Sequence, residues 1–335
     1  MSAAAQQGAS ERVAAAAQAT GERAAPGPRF PFPIPTGWFA VAFSDELPAG
    51  TVRAVRAFGR ELVAWRGTDG VPHVFDAYCP HLGAHLGVGG RVEPGGLRCP
   101  FHAWLWDGAG RCVEVPYARK IPPKARIRAW PVCERANLLL VWHDASGALP
   151  WFEVPEVPEL AGGAWTAPER REWIVRTCPQ EMAENTVDEA HFRYVHGTHA
   201  VAKTESVTAE GAVFRVVSRN RVGTPRGEQT GRIEIETHGL GFGTTRFSGI
   251  ADLLLVTAGL PVDAETMHMR LQFSVRRLPD SDATRGVGRA FLAEIERQFT
   301  QDVPIWEHKV YLPRPILCDG DGPIATLRRW ARRFY

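Results

Sequence analysis

Cysteine is scarce in this chain: six residues among 335. So few, and so scattered, they exclude a disulfide scaffold. Net charge is scarce too, at +2, which removes any electrostatic case for a nucleic-acid or acidic-membrane partner. No run reaches the eighteen or so apolar residues that span a bilayer; the longest, around Leu138–Trp142 and Leu253–Val256, are strand-sized. Residues 1–28 are rich in Ala, Gln, Gly and Ser and hold no apolar core, so they do not read as a secretory signal. Glu11 and Glu22 fit a transit peptide poorly. Residues 1–29 are therefore expected to be a disordered tail, and the protein to be cytoplasmic. No internal repeat and no dinucleotide fingerprint of the G-x-G-x-x-G type occurs.

What is present reads as two globular domains, with 44% hydrophobic and 23% charged residues. Past the proline-rich segment Phe30–Pro35, short β-like runs cover Gly37–Phe43, Thr51–Phe58, Glu61–Arg66 and His73–Ala77. Trp104–Trp106 and Arg111–Val115 read as a hairpin across Asp107–Gly110, and Arg126–Cys133 and Asn137–Trp142 follow. Residues 30–150 are thus expected to form a small antiparallel β domain. After the Pro- and Gly-rich connection Pro150–Gly163 comes an α+β domain, residues 151–335. It comprises a helix over Glu181–Tyr194, five strands of one antiparallel sheet between Ala212 and Leu278, and a helix over Arg289–Thr300 that Pro304 bends or ends.

Two of the six cysteines sit in Cys79-Pro80-His81 and Cys99-Pro100-Phe101-His102. Two thiolates and two imidazoles from two loops suit iron–sulfur or zinc. One Cys-x-His with one Cys-x-x-His favours a [2Fe–2S] cluster, thiolates on one iron and imidazoles on the other. A structural zinc site is the alternative, although zinc sites more often begin with paired cysteines. Cys112, Cys133, Cys178 and Cys318 remain as packed or free thiols.

In the second domain Glu181, Glu184, Asn185, Asp188 and His191 follow one another at helical steps of three and four. Five residues on a helix turn about 140°, so His191 and His196 converge only if the helix ends between them, and Gly197 suits that ending. Two imidazoles with one carboxylate and open positions make the facial triad of non-heme Fe(II) oxygenases.

Together the motifs resemble the catalytic α subunit of the Rieske non-heme iron oxygenases, over about residues 30–335. The N-x-x-D-x-x-H-x4-H pattern occurs as Asn185, Asp188, His191 and His196. The resemblance implies that Cys79, His81, Cys99 and His102 hold the [2Fe–2S] cluster and that His191, His196 and a downstream aspartate, best matched by Asp302, hold a mononuclear Fe(II). Glu294, Glu296 and Glu307 are weaker matches, His199 lies outside the spacing, and His85 is read as a surface or supporting histidine. Asn185 is expected beside the iron ligands. Asp188 is implied to bridge a cluster histidine and an iron histidine across neighbouring subunits of a ring, usually a homotrimer. Ala84 and Phe101 stand where cytochrome-complex Rieske proteins carry an extra disulfide.

CPFHAWLWDGAGRCVEVPYA and the tail from Leu312 to Ile324 resemble most the branch of 3-ketosteroid 9α-hydroxylase oxygenases and cholesterol 7-desaturases. That resemblance implies a terminal mono-oxygenase or desaturase. It would use O2 and electrons that a separate ferredoxin/flavin reductase draws from NAD(P)H, and act on an apolar, sterol-like molecule. Phe214, Ile233, Ile235, Phe242, Phe247, Leu253, Leu255, Met267, Met269 and Leu271 are candidate cavity walls. An aromatic or secondary-metabolite substrate is one alternative; an electron-transfer protein with a non-catalytic second domain is another.

Overall fold

A computed structural model of the protein describes residues 28–197, 203–224, 227–249 and 251–335. His199 and most of the expected tail lie outside the described residues. Among the described residues, no helix is long and apolar enough to cross a membrane.

The N-terminal half is built from three small antiparallel sheets. Strand Gly37–Phe43 pairs with Leu138–His143, which pairs with Val132–Arg135. Val52–Ala57, Arg60–Arg66, Pro72–Asp76 and Ala129–Trp130 form the second sheet. The third is a meander of Arg91–Glu93, Gly96–Arg98, Leu105–Trp106 and Cys112–Glu114. The expected hairpin turns at Asp107–Gly110, where Asp107 Oδ1 accepts the backbone N–H groups of Ala109 and Arg111 at 3.0 and 2.8 Å.

The C-terminal half centres on a seven-stranded antiparallel sheet. In spatial order its strands are Glu169–Val175, Met267–Val275, Leu253–Pro261, Phe242–Ser248, Gly227–His238, Val213–Thr224 and Lys203–Glu210. Alternate side chains leave a strand on opposite faces, and here the two faces have different neighbours. Phe242, Leu254, Val256 and Ala258 point to the N-terminal half and share a core with Trp38, Ala40, Leu138, Leu140 and Trp142. Polar side chains fasten the same seam: Arg270 donates to the Ala40 carbonyl at 2.8 Å and Gln272 to that of Ala136 at 2.5 Å.

The opposite face carries the helices α1 (Pro179–Asn185), α2 (Glu189–Tyr194), α3 (Ser281–His308) and α4 (Ile324–Ala331). Phe299 and Trp306 of α3 pack with Met267, Met269 and Leu271, while Trp330 of α4 packs with Phe214. Between α3 and α4 the sheet is covered less completely. Ile233, Ile235, Thr245, Leu255 and Thr257 lie in register on this face and are only half-buried, whereas Leu254, Val256 and Ala258 behind them are fully buried.

The helix expected over Glu181–Tyr194 is two helices, because the chain breaks at Thr186–Asp188 and Asp188 starts α2 as its N-cap. Alpha-helix α3 starts eight residues earlier than the expected Arg289 and continues through Pro304. Buried Phe299, Asp302 and Trp306 anchor it on both sides of the missing Pro304 N–H. Of the candidate cavity walls, Phe242 faces the N-terminal half instead.

Candidate metal centres

The two Cys/His loops repeat one backbone design. Cys79 N–H donates to the Ala84 carbonyl at 2.8 Å and Cys99 N–H to that of Trp104 at 2.9 Å, each reaching five residues ahead. Each cysteine carbonyl accepts in turn, from Gly83 N–H at 2.9 Å and Ala103 N–H at 3.2 Å. Closing such a turn requires the left-handed region, and Gly83 (φ 75°) and Ala103 (φ 56°) occupy it. The result is a pair of knuckles with both cysteines buried inward and the imidazoles of His81 and His102 at their tips, ring centroids 4.6 Å apart. Trp104 stacks on His81 at 4.5 Å and its indole donates to the Tyr117 hydroxyl at 2.8 Å, closing the pocket from below.

A metal group fits this pocket on its own chemistry. Burial pushes the Cys79 thiol up to about 11, with Cys99 beside it adding to the shift. Such a thiol stays protonated unless a cation takes the proton's place. His102 Nδ1 is shielded from solvent without any hydrogen-bond partner, a cost that ligation would remove. Among the described residues, the donor group gathered closely enough for a single ion is a different one, His191, His196 and Asp302, within 4.8 Å of one another. All six cysteines are free.

The triad owes its convergence to two interruptions of helix. Helix α2 ends at Tyr194, between the two histidines, with Gly197 at φ 69° beyond them, and the two imidazoles lie 5.0 Å apart. Asp302 enters from α3, its Oδ1 3.4 Å from His196 Nε2. Asn185, at the end of α1, donates to the other Asp302 oxygen at 3.3 Å. Asp188 Oδ1 accepts the His191 backbone N–H at 3.3 Å, while its carbonyl lies 2.5 Å from His191 Nδ1. An N–H on Nδ1 donating there leaves the His191 Nε2 lone pair free for a ligand. Burial pushes the Asp302 carboxyl up and the His191 imidazole down. Both shifts show charge withheld from a dry site that a divalent cation would stabilise.

Other acidic candidates are engaged elsewhere. Glu294 pairs with Arg297 and Glu296 with Arg171, while Glu307 accepts the Arg176 N–H. Glu181 and Glu184, read as part of a polar helix face, are buried against Lys309 and Arg328 and brace α1. His85 Nδ1 accepts the Gly87 N–H at 3.1 Å inside its own loop. The motif reading missed Gln301 and Arg297. Gln301 Oε1 stands 3.0 Å from His196 Nδ1, and Arg297 donates to that same oxygen at 2.8 Å. Their adjacency to Asp302 on α3 was the available signal.

Residues 37–131 match the Rieske [2Fe-2S] domain family, and residues 141–335 match the 3-ketosteroid 9α-hydroxylase C-terminal domain family. The chain is 32% identical to a probable 3-ketosteroid-9α-monooxygenase oxygenase component of Rhodococcus rhodochrous, over 89% of this chain and 79% of that one. The chain belongs to the Rieske oxygenases. It is also 32% identical to a cholesterol 7-desaturase of Ciona intestinalis, over 90% of this chain and 69% of that one. Dicamba monooxygenase in complex with dicamba shares the fold of this Rieske oxygenase, with a TM-score of 0.71 at 20% identity, covering 89% of this chain and 96% of that one. As a Rieske oxygenase the chain is an enzyme that uses a [2Fe–2S] cluster, a mononuclear iron and electrons delivered by a separate reductase.

Proposed function

We propose that this chain is the terminal oxygenase of a steroid- or sterol-oxidising system, with Cys79, His81, Cys99 and His102 on the cluster and His191, His196 and Asp302 on the mononuclear iron. The observation that carries the reading is the pairing of two donor sets of different softness on one chain, each preorganised by its own backbone. Bound in these places, the metals supply single electrons and O2 activation against a C–H bond. The protein's part is orientation. Asp188 and Gln301 hold the iron histidines by Nδ1, and Asn185 restrains the Asp302 carboxylate. The half-buried strip Ile233, Ile235, Thr245, Leu255 and Thr257 offers a flat apolar molecule a floor on the helix side of the sheet. The relatives' named substrates, a ketosteroid and cholesterol, have that shape and polarity.

The division of labour falls at about residue 150, the cluster domain before it and the iron domain after it. Within one chain they lie on opposite faces of the seven-stranded sheet, and layers pack about 10 Å apart, so the direct path runs through two packed layers. Electron delivery between neighbouring chains avoids it, with the half-buried Asp188 carboxylate as the bridge. Apolar side chains are exposed at both ends of that route: Leu82, Phe101 and Tyr117 by the cluster loops, Tyr194, Leu312 and Ile316 on α2 and the loop after α3. Unlike patches that meet head to tail form a ring where the rotation closes, and the family resemblance implies that this ring is a homotrimer. Six free cysteines suit a reducing compartment such as the cytoplasm.

The test is turnover of a panel of ketosteroids, sterols and aromatics with NADH and a ferredoxin/flavin reductase, read by product mass. A steroid gaining one oxygen or losing two hydrogens supports the reading; turnover of aromatics alone refutes it. Asp302→Ala should lose mononuclear iron and keep the cluster, and unchanged iron content would remove Asp302 from the ligand set.

A further inference from the structure

His191 and His196 have their outer nitrogens held in unequal ways. His191 Nδ1 meets a backbone carbonyl, that of Asp188, which accepts and can do nothing else. His196 Nδ1 meets a side-chain carboxamide, that of Gln301, at 3.0 Å. A carboxamide can rotate by half a turn and present its NH2 instead of its oxygen. That flip would force His196 Nδ1 to accept, move the imidazole proton to Nε2, and so place an N–H on the nitrogen that should bind metal. With the His196 side chain 1% exposed, no water can correct the error.

We propose that Arg297 is a positioning residue that locks the Gln301 amide in the one orientation compatible with metal binding by His196; this rests on the reading of His191, His196 and Asp302 as a metal site. A guanidinium only donates, so the 2.8 Å bond from Arg297 Nη1 to Gln301 requires the oxygen there. Arg297 Nη2 also donates to the His196 carbonyl at 3.0 Å, tying the same histidine's backbone to α3. Glu294 holds the guanidinium from the far side through two bonds, 2.8 Å to Nε and 2.6 Å to Nη2. Glu294, Arg297 and Gln301 follow at steps of three and four, so they share one face of the helix, directly ahead of Asp302. The Gln301 oxygen uses one lone pair for His196 and the other for Arg297, so neither bond displaces the other.

The lock predicts a specific epistasis. Arg297→Met frees the amide, and the Fe(II) affinity of the triad should fall about tenfold, within the range for losing a partner of a ligand histidine. Gln301→Glu puts an acceptor-only group in the same place, which has no wrong orientation. The double variant Arg297→Met/Gln301→Glu should therefore regain affinity to within about threefold of the parent. A merely structural role for Arg297 in α3 would not be rescued by a change at Gln301. The measurement is equilibrium dialysis of Fe(II) into full-length protein stripped of mononuclear iron but retaining its cluster, whose visible absorbance reports folding. Arg297→Met binding within twofold of the parent overturns the lock, as does a double variant as weak as Arg297→Met. If Arg297→Met fails to fold, Gln301→Leu against Gln301→Glu carries the same contrast: loss in the first, retention in the second. Asp302→Ala separates the two levels. If it leaves Fe(II) uptake intact, the triad itself is wrong and the lock falls with it; if it abolishes uptake while the Arg297 and Gln301 variants do not, the lock alone is wrong.

Discussion

Arg270 joins the halves of the molecule, and replacing it by methionine isolates what its charge contributes. The side chain is 2% exposed and donates at 2.8 Å to the Ala40 carbonyl. Strand Gly37–Phe43 slips register between Ala40 and Ala42; such a bulge interrupts the ladder of backbone hydrogen bonds, and Arg270 supplies a donor there. Arg270→Met keeps most of the stem and removes that donor, stranding a buried acceptor at a cost of about 1–3 kcal/mol. Its ionic partner Glu172, 3.2 Å from Nε, has a side chain 36% exposed and a second contact to His268 at 2.7 Å. Water and His268 can therefore take over much of its solvation, and the full penalty of about 3–5 kcal/mol for breaking a buried pair is not incurred. Burial also pushes the Arg270 pKa down, the mark of a desolvation cost that methionine relieves. The net expectation is about 2 kcal/mol of destabilisation, or a fall of about 4–8 °C in midpoint for a domain of this size. Calorimetry of the cluster-loaded protein reads it, and iron and cluster content before heating should match the parent. A midpoint that stays within 1 °C or rises would mean that hydrophobic packing alone holds the seam and the reasoning fails.

Two further outcomes follow from features on either side of that seam. Burial lowers the pKa of His143, whose Nδ1 lies 2.9 Å from the Pro35 carbonyl; the unfolded chain therefore binds the proton near pH 6.5 while the folded chain resists it. Its stabilising contribution is complete above about pH 6.5 and is lost as pH falls below that value, so the parent should lose more midpoint between pH 7.5 and 5.5 than His143→Gln does; equal slopes would refute the assignment. On the helix side, Leu255→Trp should lower kcat/KM for the best steroid by about tenfold or more with iron content unchanged; an unaltered kcat/KM would remove the Leu255 strip from the substrate site.

The two Cys/His loops and the His191–His196 pair were legible in the sequence because each motif is short and set by local backbone: the knuckles at Cys79 and Cys99 close within five residues. The sheet's interior strands were legible for the same kind of reason, since a strand-sized apolar run marks Leu253–Val256 and hydrophobic alternation marks Met267–Val275. Its two edge strands were not. Glu169–Val175 and Lys203–Glu210 were not among the expected strands; they are edges, where exposed charges such as Glu172 and Glu205 discourage pairing with another chain. Helix α3 was expected only from Arg289, yet it runs through Gly286 and Gly288, the latter beside Val275. The Gln301–Arg297 pair was hidden for a deeper reason: its partner His196 is about a hundred residues away, and only the tertiary fold brings them together.

The N-cap position of Asp188 has a bearing on how damage at this residue would spread. Helix α2 has six residues, too few to persist without outside support, and one side-chain oxygen of Asp188 fastens its first turn at His191. Asparagine caps a helix about as well as aspartate, so Asp188→Asn should leave His191 in place and interrupt only the proposed electron route. Alanine does not cap, and Asp188→Ala would fray the turn that presents a ligand. A lesion in the wiring would then masquerade as a missing metal.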